Sequence, residues 1–333
     1  MTRIRAHEIG TTITDELAIL KSLTGLDYEP PITTIAEALT RLNDLADIPI
    51  VLAPILRATF PGTARSSAVA AAVGSKIYIG TGWTGVFFKD WWEYDTTTDT
   101  WTQKTDFGGS ARSDAVAVAV GSKIYVGTGN GGDNEKDWWE YDTALDTWTQ
   151  KTDFGGSARN CTVAVAIGSK IYLGTGTTPD YQKDWWEYDT ALDTWTQKTD
   201  FGGTARAHAV AAAIATKIYV GTGDASGWTK DWWEYDTALD TWTQKTDFGG
   251  TARFGAVAAA LGSKIYVGTG YDDTYKKDWW EYDTALDTWT QKTDFPETAR
   301  VYAVAAALGS KIYVGTGTEA TSLTDWLLQV WNY

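Results

Sequence analysis

Short runs of apolar and β-branched residues alternate with Gly or Asp turn residues along most of the chain. Residues 115–159 show the pattern most fully: an Ala/Val run at 115–120, KIYVG from Lys123, DWWEY from Asp137, and TWTQKTDF ending at Phe154. Apolar runs of four to eight residues between such turns are typical of β-strands. The pattern therefore predicts four short strands, a to d, joined by a GSK turn, a seven-residue b–c segment and a DTALD turn.

The stretch occurs six times at a fixed spacing of 47 residues, and the sixth copy is incomplete. The KIY triplet begins each time at a lysine: Lys76, Lys123, Lys170, Lys217, Lys264 and Lys311. A fixed period of this length indicates a repeat architecture. Four antiparallel strands repeated around an axis form the blades of a β-propeller. We therefore predict an all-β, six-bladed propeller over residues 48–333.

Four features shared by the first five copies resemble the kelch repeat. Strand b is closed by glycine, a Tyr-Asp pair follows, a Trp comes after a five-residue gap, and an Arg precedes the next inner strand. The resemblance covers about 280 of the 333 residues. It departs from the kelch pattern in one detail, because the usual adjacent glycine pair is split as Gly-Thr-Gly. The resemblance implies a six-bladed propeller that takes ligands at its inner-strand face.

Tryptophan supports the same fold. Fifteen of the 19 Trp residues fall in the repeated framework. Adjacent Trp138 and Trp139 must point to opposite faces of strand c. We therefore expect both faces of each blade to be covered by neighbouring blades.

The two ends of the chain indicate how the ring closes. The last copy ends after strand c, DWLLQVW from Asp325, and has no strand d. Phe60 precedes a TAR motif just as Phe107 precedes SAR. We therefore predict that residues 55–60 supply the outer strand of the C-terminal blade. Such closure removes exposed strand edges.

Residues 1–47 differ from the repeats and are expected to form a polar arm, residues 1–12, and two short helices. Thr14 can cap the first helix and Gly25 ends it, while Thr34 and Glu37 after Pro30-Pro31 make a capping box for the second. Short helices are only marginally stable alone, so these two need a partner surface. That surface is either the flank of the propeller or an oligomerisation and anchoring contact. In the second case we expect residues 1–46 to attach to a larger assembly and the protein to be a homo-oligomer. Their apolar stripes are Ile13, Leu17, Leu20 and Leu23, then Ile35, Leu39 and Leu42.

The composition and charge of the chain limit the classes of partner that it is expected to bind. The formal net charge of −15 disfavours nucleic acid, whose phosphates need clustered Lys and Arg. Cys161 is the one cysteine, so no internal disulfide is expected. No apolar run reaches the roughly 18 residues of a membrane span. No secretory signal peptide is visible, and we expect cytoplasmic synthesis.

The copies differ at two sets of positions. One is the b–c segment, which begins at residues 83, 130, 177, 224, 271 and 318; the other is the pair of residues after each framework Arg. Strand direction places both sets on one propeller face, hereafter the b–c face. Variable aromatic and small polar residues on a rigid scaffold are typical of a recognition surface, although drift of surface loops also explains variability. The predicted ligand-binding residues are Trp83, Phe87, Phe88, Asp114, Asn130, Asp133, Asn134, Asn160, Asp180, Tyr181, His208, Trp228, Phe254, Tyr271, Asp272, Tyr275 and Tyr302.

The sequence contains few residues of the types that catalytic sites use. The chain has two histidines, His7 and His208, so no triad, metal site or cofactor is predicted. Asp142 and Asp146 of the DTALD turn are expected to bond backbone amides, with cation binding as an alternative. The framework arginines either ring the recognition face or, as we expect, form inter-blade ion pairs with Glu140 and its equivalents; they are Arg65, Arg112, Arg159, Arg206, Arg253 and Arg300.

The sequence thus favours a non-enzymatic binding module, a virion (phage) appendage or fibre protein that recognises a cell-surface receptor, glycan or protein. Three alternatives stay open. One is an intracellular kelch adaptor that binds a peptide, and another is a sialidase-like or redox propeller enzyme, which would need a polar cluster in the channel mouth at Asp114, His208 and Tyr302. The third is a designed consensus propeller, although the diversity of the b–c segments argues against it.

Overall fold

The computed structural model describes residues 55–330 apart from residue 320, and side chains over residues 57–325. These residues belong to a compact unit that begins at Pro54. The polar arm and the two helices predicted over residues 1–47 lie outside the described residues. Every regular element in the described part of the chain is a β-strand. Among these residues there is no helix long and apolar enough to cross a membrane.

The described chain contains 24 strands in six antiparallel, four-stranded sheets. The first strand along the chain is β1 (Ile55–Leu56). Blade 1 contains β2 (Val69–Val73), β3 (Lys76–Gly80), β4 (Trp91–Asp95) and β5 (Thr100–Lys104). Blade 2 contains β6 (Val116–Val120), β7 (Lys123–Gly127), β8 (Trp138–Asp142) and β9 (Thr147–Lys151). Blade 3 contains β10 (Val163–Ile167), β11 (Lys170–Gly174), β12 (Trp185–Asp189) and β13 (Thr194–Lys198).

The remaining blades repeat this arrangement. Blade 4 contains β14 (Val210–Ile214), β15 (Lys217–Gly221), β16 (Trp232–Asp236) and β17 (Thr241–Lys245). Blade 5 contains β18 (Val257–Leu261), β19 (Lys264–Gly268), β20 (Trp279–Asp283) and β21 (Thr288–Lys292). Blade 6 contains β22 (Val304–Leu308), β23 (Lys311–Gly315) and β24 (Trp326–Val330), with β1 as its fourth strand. The six-bladed, kelch-like propeller predicted from the 47-residue period is confirmed.

The strand register fixes the two faces of the propeller. In blade 2, Val116, Gly127, Trp138 and Lys151 line up across the four strands at one end. The GSK and DTALD turns lie at the other end, because Lys123 pairs with both Val120 and Asp142. The b–c segments and the connections between blades therefore share one face, as strand polarity predicted.

The predicted ring closure is also confirmed, but the outer strand covers Ile55–Leu56 and not the whole of residues 55–60. Strand β1 pairs antiparallel with β24 as the outer strand of blade 6. Beyond β1, the amide of Phe60 donates to the carbonyl of Thr324 at 3.1 Å. The Trp101 indole of blade 1 donates to the Ala58 carbonyl at 2.8 Å. The N-terminal strand therefore joins the last blade to the first.

The core lies between blades, which explains the adjacent tryptophans. Trp138 is fully buried and packs with Ile171 and Tyr188 of blade 3. Trp139 is half-buried and packs on the other side, against Phe107, which follows blade 1. Strand c of blades 1 to 5 thus places one indole on each neighbouring blade, as the adjacent pair predicted.

Candidate binding face

The two variable sets of residues meet directly in every blade. The residue after each framework Arg pairs with the first residue of the b–c segment; Ser113, for example, exchanges backbone hydrogen bonds with Asn130 at 2.8 and 2.9 Å. The b–c segment then folds back as a tight loop, in which Asn130 pairs with Asn134. The remaining five copies repeat both pairings. All 17 residues predicted to bind a ligand therefore lie on the b–c face.

The second residue after each framework Arg forms a closed ring around the propeller axis. Each of these residues donates its backbone N–H to the carbonyl of its counterpart in the preceding blade, at 3.0 to 3.2 Å. All have φ between 52° and 61°, a left-handed conformation that most residues rarely adopt. The cyclic hydrogen bonds hold them in it. We call this set the axial ring: Ser67, Asp114, Cys161, His208, Gly255 and Tyr302.

The split Gly-Thr-Gly of strand b has a structural reason. Gly129 has φ near 101°, and a Cβ there would lie 2.7 Å from the Ser113 carbonyl oxygen. Its N–H donates to the carbonyl of Arg159 in the next blade at 2.8 Å. Gly127 must also lack a side chain, because a Cβ would lie 2.2 Å from the Trp138 ring. Both glycines are therefore required, although they are not adjacent.

Each framework arginine is buried and binds an aspartate of its own blade, and we call this pair a clamp. The clamps correct two expectations, the Glu140 partner and the ring of arginines on the face. Arg112 is fully buried and donates to both carboxylate oxygens of Asp137 at 2.5 and 2.8 Å. It also donates to the Thr128 carbonyl at 2.9 Å. The partner is thus an aspartate of the same blade and not Glu140, which accepts the Tyr125 hydroxyl. The reason is reach: Asp137 begins strand c beside the Arg, whereas Glu140 lies further along the strand.

Because all six arginines are buried, they also do not ring the face. The pKa of the aspartate is lowered in three of the clamps. Burial alone would raise the pKa of Asp184, but hydrogen bonds from Arg159 and Trp186 lower that pKa below its ordinary value. The pKa values of Asp231 and Asp278 are lowered in the same way. The clamps hold the blades, and the variable residues are free to differ.

One side of the b–c face is polar. The Asn160 amide donates to Asn134 Oδ1 at 2.5 Å, and the Tyr181 hydroxyl donates to Asp224 Oδ2 at 2.7 Å. Asp114 of the axial ring belongs to the same region and accepts the Ser113 hydroxyl. We call these residues the polar sector: Asp114, Asn134, Asn160, Tyr181 and Asp224. It offers amide and carboxylate groups from blades 2 to 4.

The other side is aromatic. The Phe254 ring lies 6.2 Å from Trp228, 5.7 Å from Tyr271 and 5.8 Å from Tyr302, between ring centroids. Tyr271 continues the chain of contacts to Tyr275 at 5.2 Å. We call these residues the aromatic sector: Trp228, Phe254, Tyr271, Tyr275 and Tyr302. His208 lies where the two sectors meet, 5.0 Å from Tyr302.

Several predicted residues are less available than the sequence suggested. Only Trp83, at 46%, is exposed among six predicted aromatic residues of the b–c segments: Trp83, Phe87, Phe88, Trp228, Tyr271 and Tyr275. Phe88 lies under the Arg65 guanidinium, 4.1 Å from its ring centroid, and so supports the clamp. Phe87 is half-buried where it pairs with Trp83. The other three, Trp228, Tyr271 and Tyr275, pack together in the aromatic sector.

Polar loop residues divide in the same way. Asn130 accepts the Gly132 amide at 2.8 Å, which stabilises its own loop. Asp272 accepts from Lys276 at 2.7 Å, and burial, which raises its pKa, is outweighed by hydrogen bonds that lower it. Asp133 and Asp180 are exposed on their loops. Among the predicted residues outside the polar sector, these two have exposed carboxylates.

Sequence reasoning missed Cys161 as a site residue. Its thiol donates to Asn160 Oδ1 at 2.8 Å, and burial, together with the Asp114 carboxylate, raises the pKa of the thiol. Burial lowers the pKa of His208, an effect that Asp114 and Asp224 partly offset. Burial also raises the pKa of the Tyr302 hydroxyl. The signal was the second position after each Arg, which the sequence had already identified as variable but which was not considered across consecutive blades.

The opposite face is uniform, and its turn aspartates have structural roles. Asp142 Oδ1 accepts the Ala144 and Leu145 amides at 2.9 and 3.0 Å. A hydrogen bond from Lys123 is the main cause of the lowered pKa of Asp142. Asp146 accepts the Tyr141 hydroxyl at 2.7 Å. Asp146 Oδ1 also accepts the Thr105 amide at 3.0 Å, so the expectation that both side chains bond backbone amides is confirmed.

Comparison with known proteins agrees with this geometry. The family model of the KLHDC2/KLHL20/DRC7 Kelch-repeats domain matches residues 57–205 and 157–317. The search against curated proteins found no match. Among solved structures, one titled "Structure of YjhT" is 17% identical, covers 82% of this chain and 97% of its own, and has a TM-score of 0.70. At that identity it supports the fold alone. The chain belongs to the kelch-repeat family of β-propellers.

Proposed function

We propose that the b–c face is a ligand-binding surface and that the protein is a non-enzymatic recognition module. Kelch propellers are in general binding modules. The observation that carries the proposal is the meeting of all the variable residues of six near-identical copies around one axial ring. Rigid clamps and cyclic backbone hydrogen bonds hold the ring, so side chains can vary without loss of the fold.

The chemistry of the two sectors favours a ligand with both apolar faces and hydroxyl groups. Aromatic rings supply large contact area at low cost in conformational entropy. Amide and carboxylate oxygens accept hydroxyl hydrogen bonds, and amide N–H groups donate them. A glycan presents both kinds of group on each sugar ring. We therefore propose a surface glycan, or a glycosylated receptor, as the ligand.

We further propose that the protein is a virion or phage appendage, such as a fibre or receptor-binding subunit. A regular acidic repeat array with one diversified face suits recognition outside a cell. Residues 1–46 would attach the propeller to the particle and hold copies together as a homo-oligomer. Immuno-gold imaging of particles with an antibody against the propeller tests this assignment. Absence of the protein from purified particles would contradict it.

The second candidate is a kelch adaptor that binds a peptide through the same face. The match to the KLHDC2/KLHL20/DRC7 Kelch-repeats domain favours it. The two candidates differ in ligand class, so one panel separates them. Immobilised glycans and a random peptide library are each probed with the full chain. Selective retention on glycans supports recognition of a surface receptor, and selective retention on peptides supports the adaptor.

Matched variants test the face itself. Trp83 on the b–c face and Leu145 on the opposite face are both exposed apolar residues, at 46% and 71%. Trp228→Ser and Trp83→Ser should weaken binding, with at least one of them by about 30-fold, since an aromatic hot spot contributes about 2 kcal/mol or more. Leu145→Ser should leave binding unchanged. Equal effects of the variants on the two faces would contradict the proposal.

A further inference from the structure

Three residues of the axial ring bring together different kinds of metal ligand. Asp114, Cys161 and His208 occupy consecutive ring positions in blades 2, 3 and 4. Each offers one ligand atom, and these atoms all lie within 4.8 Å of one another. Consecutive members of the set are 47 positions apart in sequence, and the packing of blades 2, 3 and 4 around the axis brings them together. Neither the clamps nor the loop pairings use these side chains.

We propose that Asp114, Cys161 and His208 form a binding site for a thiophilic divalent metal ion of the zinc class at the propeller axis. A thiolate, an imidazole and a carboxylate are the ligand types that Zn²⁺ prefers. A set of oxygen ligands would have favoured calcium or magnesium, but sulfur and nitrogen do not. The site lies at the junction of the polar and aromatic sectors.

The geometry needs only small side-chain movements. With zinc–ligand bonds of about 2.0 to 2.3 Å, two ligand atoms of a tetrahedral site lie roughly 3.3 to 3.8 Å from each other. The three side chains, with ligand atoms within 4.8 Å, therefore have to close by about 1 Å, which χ rotation provides. The backbone does not have to move, because the cyclic hydrogen bonds already fix all three Cα positions.

Neighbouring side chains orient the ligands. Ser113 Oγ donates to Asp114 Oδ2 at 2.7 Å, which leaves Oδ1 for the metal. The His208 imidazole is held between Phe254 at 5.7 Å and Tyr302 at 5.0 Å, between ring centroids. Such outer contacts are a regular feature of metal sites in proteins. Ligand orientation therefore does not depend on the ion alone.

Binding has a simple proton balance. The Cys161 thiol loses its proton to solvent water, and an Sγ–metal bond replaces the hydrogen bond from Sγ to Asn160. The imidazole binds as the neutral base, and the carboxylate binds as the anion. One proton is released for each ion bound, and no electrons are transferred. Three protein ligands leave one tetrahedral position for water or for an atom of a docked ligand.

Cobalt titration of the metal-free full chain tests the site. Co²⁺ occupies zinc-type sites, and its absorption reports both thiolate coordination and tetrahedral geometry. We expect one equivalent to bind with a thiolate-to-cobalt charge-transfer band and visible d–d bands, and Zn²⁺ to displace it. Cys161→Ser should abolish the charge-transfer band. His208→Asn and Asp114→Asn should each weaken binding by more than the 10- to 100-fold that loss of an outer contact costs.

Ser67→Ala is the matched control, because Ser67 occupies the same ring position in blade 1 and is not a proposed ligand. It should bind cobalt like the parent chain. The near-UV circular dichroism of each variant shows whether the propeller is folded, and Zn²⁺ should raise the Tm of the parent and of Ser67→Ala but not of Cys161→Ser. Octahedral cobalt spectra, or cobalt binding unaffected by Cys161→Ser, would overturn the proposal. Because the readout is the metal itself, failure here leaves the ligand-binding proposal for the face standing.

Discussion

Phe60 tests ring closure, because it lies in the N-terminal stretch yet packs on the first blade. It is 2% exposed, and its ring centroid lies 5.2 Å from Trp101 and 6.0 Å from Trp92. The Arg65 guanidinium lies 5.1 Å from the same ring. If β1 closes the propeller, Phe60 joins blade 6 to blade 1 and its loss opens a cavity at that junction.

The chain contains a closely matched control. Phe154 is also 2% exposed and joins blade 2 to blade 3, with its ring 5.0 Å from Trp195 and 5.9 Å from Trp186. The Arg159 guanidinium lies 5.0 Å from it. Phe60→Ala and Phe154→Ala should therefore cost nearly the same free energy of unfolding. Each truncation of a buried Phe to Ala is expected to cost about 3 to 5 kcal/mol.

Urea unfolding followed by tryptophan fluorescence and far-UV circular dichroism measures both variants. At an unfolding entropy of about 2.1 cal/mol/K per residue, a loss of 3 to 5 kcal/mol corresponds to a Tm decrease of roughly 5 to 9 °C for a unit that runs from Pro54 to Tyr333. Coincidence of the two signals checks that the ring unfolds as one unit, since repeat arrays can lose cooperativity. A cost for Phe60→Ala below about 0.5 kcal/mol, typical of a surface change, beside a full cost for Phe154→Ala, would refute closure through the N-terminal strand.

Three further predictions concern the framework. Asp231 has a lowered pKa, so its contribution to stability is present above the unfolded-state value of about 3.9 and is lost as pH falls below it; Asp231→Asn should flatten acid unfolding between about pH 5 and 2, and an unchanged profile would contradict the clamp. Gly129→Ala should cost more than Gly121→Ala in urea unfolding, because a Cβ at Gly129 meets the Ser113 carbonyl oxygen at 2.7 Å whereas one at Gly121 meets nothing within 4 Å. Leu145→Ser should change the free energy of unfolding by less than about 0.5 kcal/mol, because the side chain is 71% exposed; a larger loss would reveal packing at that turn.

The fold was predictable because repetition turns weak local signals into a strong one. A single run such as KIYVG does not define a sheet, but six copies at an unchanged spacing define six blades. The outer strand β1 was predictable for the same reason, since Phe60 holds the position before its Arg that Phe107 holds before the next. The direction of the strands then placed both variable sets on one face.

The side-chain partners were not predictable from the pattern. Arg112 and Asp137 are 25 residues apart, and strand periodicity does not show that a turn brings the two together. Glu140 was the wrong choice of partner. In the sequence it is a charged strand residue without an evident partner, but in the fold its carboxylate accepts the Tyr125 hydroxyl.

The proximity of Cys161 to Asp114 and His208 was missed for a different reason. The chain has two histidines, and this number suggested too few ligands for a metal site. The relevant quantity was the position within the copy: Asp114, Cys161 and His208 occupy one repeat position in three consecutive blades. Burial of the aromatic residues was also unpredictable, because Phe88 and Trp228 find partners that depend on the folded loops.

Hydrogen–deuterium exchange of the full chain, with and without the ligand that the glycan and peptide panels select, tests the central claim most directly. The account predicts slower exchange in the b–c segments, above all at residues 177–183, 224–230 and 271–277, and in the axial ring, with unchanged exchange in the turns of the opposite face. Protection confined to those opposite turns, or spread evenly over both faces, would contradict it.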